Sequence, residues 1–83
     1  MATIIKSNGK RGDNLLSWDD LEVIEHYEKA KALLVKIQAD YDEAKSKNDV
    51  EIISNISIYL VNVKEVNLAL ELEIKYRELE WEE

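Results

Sequence analysis

There is no cysteine among the 83 residues, which removes disulfides, thiolate metal sites and thiol nucleophiles together. Proline is absent and both glycines fall within residues 1–14, so nothing beyond residue 14 interrupts a helix on local grounds. No run of about 18 apolar residues occurs, and no charged segment followed by an apolar stretch opens the chain. The expectation is a soluble, cytoplasmic protein with no membrane partner. A chain this short buries only about 60% of its unfolded surface. With no disulfide to supplement the core, a second chain is the leading supplement.

Charge is plentiful but uneven. The net charge is −7; residues 1–14 carry +2, from Lys6, Lys10 and Arg11 against Asp13, which leaves −9 on residues 15–83. An acidic body with so short a basic segment disfavours direct nucleic-acid binding.

Residues 1–14 read as a flexible basic arm. Asn8-Gly9 suits a tight turn of the primed type, yet its two sides are too short and mismatched for a stable hairpin. The sharper alternative is a short β-arm that orders against a partner or a second subunit. Arg11-Gly12-Asp13 matches the integrin-binding tripeptide, a three-letter pattern that recurs by chance.

A helix start follows. Ser17 suits the N-cap, Asp19 and Asp20 put negative charge in the first turn, and Leu16 with Leu21 fit a hydrophobic staple. Leu16, Val23, Tyr27, Ala30, Leu34, Ile37, Tyr41 and Ala44 then recur in alternating threes and fours, apart from a polar Asp20, which is a heptad seam. The opposite side carries Glu22, Glu25, Lys29, Lys36 and Glu43 and should be solvated. Helix 1 is thus expected over about 17–46.

Ser46-Lys47-Asn48-Asp49 is the turn, with Asn48 capping a second helix over about 49–81. So short a connection makes the two helices antiparallel neighbours. Residues 1–14 form the arm and 15–83 the hairpin. Ile52 to Val63 also reads as a strand, being rich in Ile, Val and Tyr; no turn residue follows it and no partner strand is evident, so helix is preferred.

The second helix has two apolar sides. Ile53, Ile56, Leu60, Val63, Asn67, Leu70 and Ile74 form the seam that closes the hairpin, widened by Ile52, Tyr59 and Val66. Ile58, Val61, Leu68, Leu72 and Leu79 lie across the helical wheel, where one partner helix cannot cover them too. Leaving such side chains in water forgoes about 1.5–3 kcal/mol each, and a contiguous apolar patch marks an interface. Dimerisation into a four-helix bundle would cover it; a different protein is the competing occupant. On the seam, Asn67 either fixes register through a partner amide or meets water at the edge.

The chain closes with Glu78, Glu80, Trp81, Glu82 and Glu83 at a helix C-terminus, where the macrodipole prefers cations. Two outcomes follow: a frayed acidic end, or one neutralised by Lys6, Lys10 and Arg11 of the arm. That end is also a candidate docking point for a basic partner.

Chemistry-bearing patterns are sparse. His26, the one histidine, has Glu22 an i,i+4 neighbour, but a di-iron bundle needs Glu where Val23 stands. No Gly-rich phosphate loop or Ser/His/Asp constellation is present, and a two-helix hairpin is expected to lack a cleft. The residues therefore point to a non-enzyme without cofactor or metal. The reading is an all-α hairpin, a self-associating protein-binding module acting as adaptor, regulator or structural element. The alternative is an acidic charge mimic that occupies a basic groove on a nucleic-acid-handling protein.

Overall fold

A computed structural model describes residues 2–83. The order of elements is β1 (Thr3–Lys6), a 3-10 turn (Asp13–Leu15), α1 (Asp20–Ser46), α2 (Val50–Tyr76) and β2 (Glu80–Glu82). The two helices pack against each other as an antiparallel hairpin, and the molecule measures 47 × 26 × 16 Å. No helix among the described residues is long and apolar enough to cross a membrane.

Capping fixes the helix boundaries. At α1, Asp19 rather than Ser17 is the N-cap: its carboxylate accepts from the Glu22 N–H at 2.8 Å, and Glu22 reaches back to the Asp19 N–H to complete a capping box. The start therefore moves by two residues, because a carboxylate with Glu at N3 satisfies two free donors where Ser17 would satisfy one. Trp18 and Val23 take the staple positions and share one core cluster, leaving Leu16 exposed. At α2, the cap is Asp49, accepting from the Ile52 N–H. Asn48, expected in that role, instead adopts φ 57°.

Both helices end in the same way. Behind α1, the Asn48 and Asp49 N–H groups donate to the Lys45 and Ala44 carbonyls; behind α2, Glu78 and Leu79 donate to Lys75 and Ile74. Each is a Schellman motif with its left-handed residue at C′, Asn48 in one case and Glu78 (φ 52°) in the other. Helix 2 thus stops at Tyr76 rather than near residue 81. The four glutamates that would have faced the negative end of the helix dipole leave it instead, and the reversal carries Leu79 inward.

The segment expected to be a free arm is a strand. β1 pairs antiparallel with β2 of the same chain, Thr3 opposite Glu82, Ile4 opposite Trp81 and Lys6 opposite Glu80, with a bulge at Ile5. From there residues 7–12 run as a strap over the end of α2. The Asn8 N–H donates to the Arg77 carbonyl, and its side-chain amide donates to the Tyr76 carbonyl and the Glu78 carboxylate.

The core lies in two clusters. One joins Val23, Ile24, Leu70 and Leu79, flanked by Leu15, Trp18, Tyr27, Ile74 and Trp81; the other joins Ile37, Leu60 and Val63, flanked by Leu34, Tyr41 and Ile56. Asn67 falls between them on α2, and its amide Nδ2 is buried without a hydrogen-bond partner.

Candidate functional site

α2 contributes one flank to the core and leaves most of its remaining circumference uncovered. Ile58, Val61, Leu68 and Leu72 are 55–66% exposed, and Ile52, Tyr59, Val66 and Tyr76 are also exposed. Leu79 does not belong with them. It is 6% exposed and packs in the core, because its place on the far side of the wheel presumed a helix that continues past Tyr76.

Beside this surface lies a cleft of about 700 Å³, lined by Leu15, Trp18, His26, Ala30, Val66, Leu70, Leu72 and Tyr76 among others. Its presence corrects the expectation that a two-helix hairpin has none. The strap and the 3-10 turn add a third wall that two helices alone would not provide. Past Ala30 and Val66 the depression continues along the hairpin to Leu33 and Tyr59.

The third wall is held by a buried ionic node. Arg77 is 0% exposed and every guanidinium nitrogen is engaged: Nε donates to Glu73 at 2.6 Å, Nη1 to Asp20 at 2.9 Å and Nη2 to the Leu15 carbonyl at 2.9 Å. Glu73 also accepts from the Gly12 N–H at 2.8 Å, and Asp20 from the Ser7 hydroxyl at 2.6 Å. A Cβ at residue 12 would collide with the Glu73 carboxylate, so Gly12 is required by close approach. Burial pushes the Asp20 and Glu73 carboxyls up, but the hydrogen bonds each accepts and the Arg77 charge outweigh it, leaving both below their ordinary values. Burial likewise works against the Arg77 charge, and its bonds to Glu73 and Asp20 prevail, so its pKa is raised.

The acidic end is partly built into the fold. Trp81 is half-buried, donating from Nε1 to Glu28 at 3.2 Å and meeting the Tyr27 ring edge-on at 6.0 Å. Glu80, Glu82 and Glu83 are exposed, while Glu78 accepts from Asn8. The arm does reach this end, but the groups that tie it down are Ser7, Asn8 and Gly12. Lys6 faces Glu80 across the two strands, and Arg11 donates to the Leu16 carbonyl. Neither these nor Lys10 forms an ion pair with the terminal glutamates among the described residues. Of the Arg11-Gly12-Asp13 tripeptide, Gly12 is packed against Glu73 while Arg11 and Asp13 are exposed.

The His26 ring meets Trp18 at 4.6 Å, tilted by 46°, and its Nδ1 lies 2.8 Å from the Glu22 carbonyl oxygen. The Glu22 carboxylate is turned to the capping box. No group of three or more metal-ligating side chains occurs among the described residues.

Sequence reasoning passed over the node. An Arg four residues after a Glu reads as an ordinary surface pair, and only Asp20, the polar residue interrupting the first heptad seam, signals that a charge awaits it. Comparison with protein-family models, curated proteins and solved structures returned no match.

Proposed function

We propose that this chain is a non-enzymatic protein-binding module, a self-associating helical hairpin that serves as an adaptor, regulator or structural element. The outer side of α2 carries the reading. Ile58, Val61, Leu68 and Leu72 form one stripe, more than half exposed, and fully burying a side chain of this size contributes about 1.5–3 kcal/mol. Tyr76, also exposed, continues the stripe toward the cleft, and a contiguous exposed apolar patch marks an interface. Its occupant is a second copy of the chain, giving a four-helix assembly.

Mass in solution tests this. The protein should run at twice the 9.7 kDa of one chain, and Leu68→Glu or Leu72→Glu should return it to one chain with helicity retained, since both side chains stand outside the core. A wild-type protein that stays at 9.7 kDa across the accessible concentration range would sink the reading. The competing charge-mimic reading draws on the exposed Glu80, Glu82 and Glu83. It would be favoured by a single chain that binds a basic protein with steep salt dependence and is indifferent to the leucine changes.

A further inference from the structure

We propose that Asn8 is a covalent modification site: deamidation at Asn8-Gly9, with water as the only co-reactant, unfastens the strap from the end of α2 in one direction. The proposal is independent of self-association.

The sequence selects this position. Of the asparagines in the chain, only Asn8 precedes a glycine; the others precede Asp49 or the bulky Leu15, Ile56, Val63 and Leu68. Deamidation begins when the backbone nitrogen of the following residue attacks the side-chain Cγ, and a side chain on that residue hinders the approach. Gly9 has none, is exposed, adopts φ 75° and has nothing within 4 Å of where a Cβ would stand. Its N–H is held only by the Ser7 hydroxyl, at 3.3 Å. The bond that forms joins the Gly9 nitrogen to Cγ of Asn8. The bond that breaks is Cγ–Nδ2, and that nitrogen leaves as ammonia. Water then opens the cyclic imide at one carbonyl or the other, leaving aspartate or isoaspartate at position 8.

The fold makes the departing atom matter. Nδ2 donates to the Tyr76 carbonyl at 2.9 Å and to the Glu78 carboxylate at 3.1 Å, so each event removes the donor of both bonds. Tyr76 is the last residue of α2, and its carbonyl is among those that a helix end leaves without an intrahelical partner. A carboxylate at position 8 can only accept. It would face the Tyr76 carbonyl, the Glu78 carboxylate and the negative end of the helix dipole with nothing to donate. No cation is paired with Glu78 among the described residues, so the added charge is not offset there. In the isoaspartate product the backbone is one carbon longer. That displaces the strap between its fastenings at the Arg77 carbonyl and the Glu73 carboxylate.

The same contacts gate the reaction. Besides the two bonds from Nδ2, Oδ1 accepts from the Lys10 N–H at 2.9 Å, so the carboxamide is held at both of its polar atoms. Conversion therefore proceeds from the opened strap, and the product then opposes reclosure. What is loosened is the third wall of the cleft.

The full-length chain, aged in mildly alkaline buffer, should gain about one dalton in the fragment carrying Asn8, more slowly than the same chain unfolded in guanidinium chloride. The converted protein, separated by its extra negative charge, should exchange its residue 8 and Gly12 amide hydrogens about tenfold faster or more, from the loss of two hydrogen bonds. The Val63 and Leu70 amides should keep their protection, which shows that the hairpin is still folded. Asn8→Asp should reproduce the faster exchange without ageing, and Glu78→Gln in that background should recover part of it by removing the facing charge. No gain in mass at Asn8 while the unfolded chain converts fully would overturn the site. Unchanged exchange in both the converted protein and Asn8→Asp would overturn its effect on the strap.

Discussion

The two helices are alike in length and in how they end, and differ in what they show to solvent. Each spans 27 residues, begins at an aspartate cap and ends in a Schellman motif after a lysine in its last turn. α1 turns Glu22, Glu25, Lys29, Lys36 and Glu43 outward, all exposed; α2 turns outward Ile58, Val61, Leu68 and Leu72. A two-helix hairpin asks only one apolar stripe of each member; beyond it α1 exposes just Val35 and, partly, Leu33, where α2 adds a second stripe. The surplus on α2 is therefore not a requirement of the fold, and it is there that association is proposed.

The helix ends sharpen the comparison. Lys47 and Arg77 are both C-cap residues paired with a glutamate one turn back, at 3.0 and 2.6 Å. The first pair is exposed (70% and 63%) and the second buried (0% and 8%). Truncation should separate them widely. Arg77→Ala leaves Glu73 and Asp20 without their counter-charge inside the protein and should cost about 3–5 kcal/mol. Lys47→Ala should change stability by less than about 0.5 kcal/mol. Urea unfolding followed by circular dichroism checks both, and equal effects would mean the node contributes nothing beyond a surface pair.

Acid should find the same weak point. Asp20 and Glu73 are lowered from ordinary values of 3.8 and 4.5, so the native state binds fewer protons than the unfolded chain at those groups. The stability they contribute is complete above those ordinary values and is lost as pH falls below them, through the lower folded-state values. Urea midpoints measured downward from neutral pH should fall in that window, and the drop should be shallower in the Arg77 variant, which has less of this linkage to lose.

Gly12→Ala comes next in size. Its Cβ would meet a Glu73 carboxylate already held by Arg77 and the Gly12 N–H, and overpacking of this kind costs about 1–3 kcal/mol. Gly9 has nothing near its would-be Cβ, but its φ of 75° favours glycine, so Gly9→Asn, which tolerates that conformation, is the milder control.

The smallest expected effect has the opposite sign. Asn67→Leu removes the buried, unpartnered amide between the two core clusters and should stabilise the chain by about 1 kcal/mol. Thermal melting at low protein concentration reads this. A loss of stability would show that the space between the clusters does not accept the bulkier leucine.

Much of the hairpin was legible from periodicity. The seam residues Val23, Ile37, Leu60, Val63 and Leu70 are buried, because a 3.6-residue repeat dictates which side of a helix can meet a neighbour regardless of what that neighbour is. The turn at residues 46–49 was equally plain, since four polar residues between two apolar repeats leave little choice. The last seven residues were not. Nothing in Arg77-Glu78-Leu79-Glu80-Trp81 is a helix breaker, and Glu78 in a left-handed conformation runs against its own preference. That conformation persists because it delivers Leu79 and Trp81 to the core and ties β2 to β1.

By itself, then, the sequence determined two amphipathic helices, their antiparallel return, and an excess of apolar surface on the second, all of which follow from spacing along one chain. Tertiary structure alone decided that the arm would be a strand, that Leu79 would be core rather than interface, and that Arg77 would be sealed among Asp20, Glu73 and the Leu15 carbonyl. Those outcomes depend on residues from the two ends of the chain meeting at one end of the hairpin, Arg77 with Asp20 and Leu15 at separations of 57 and 62 positions among them. A buried guanidinium is tolerated only where all of its partners converge, and no local pattern reports that convergence.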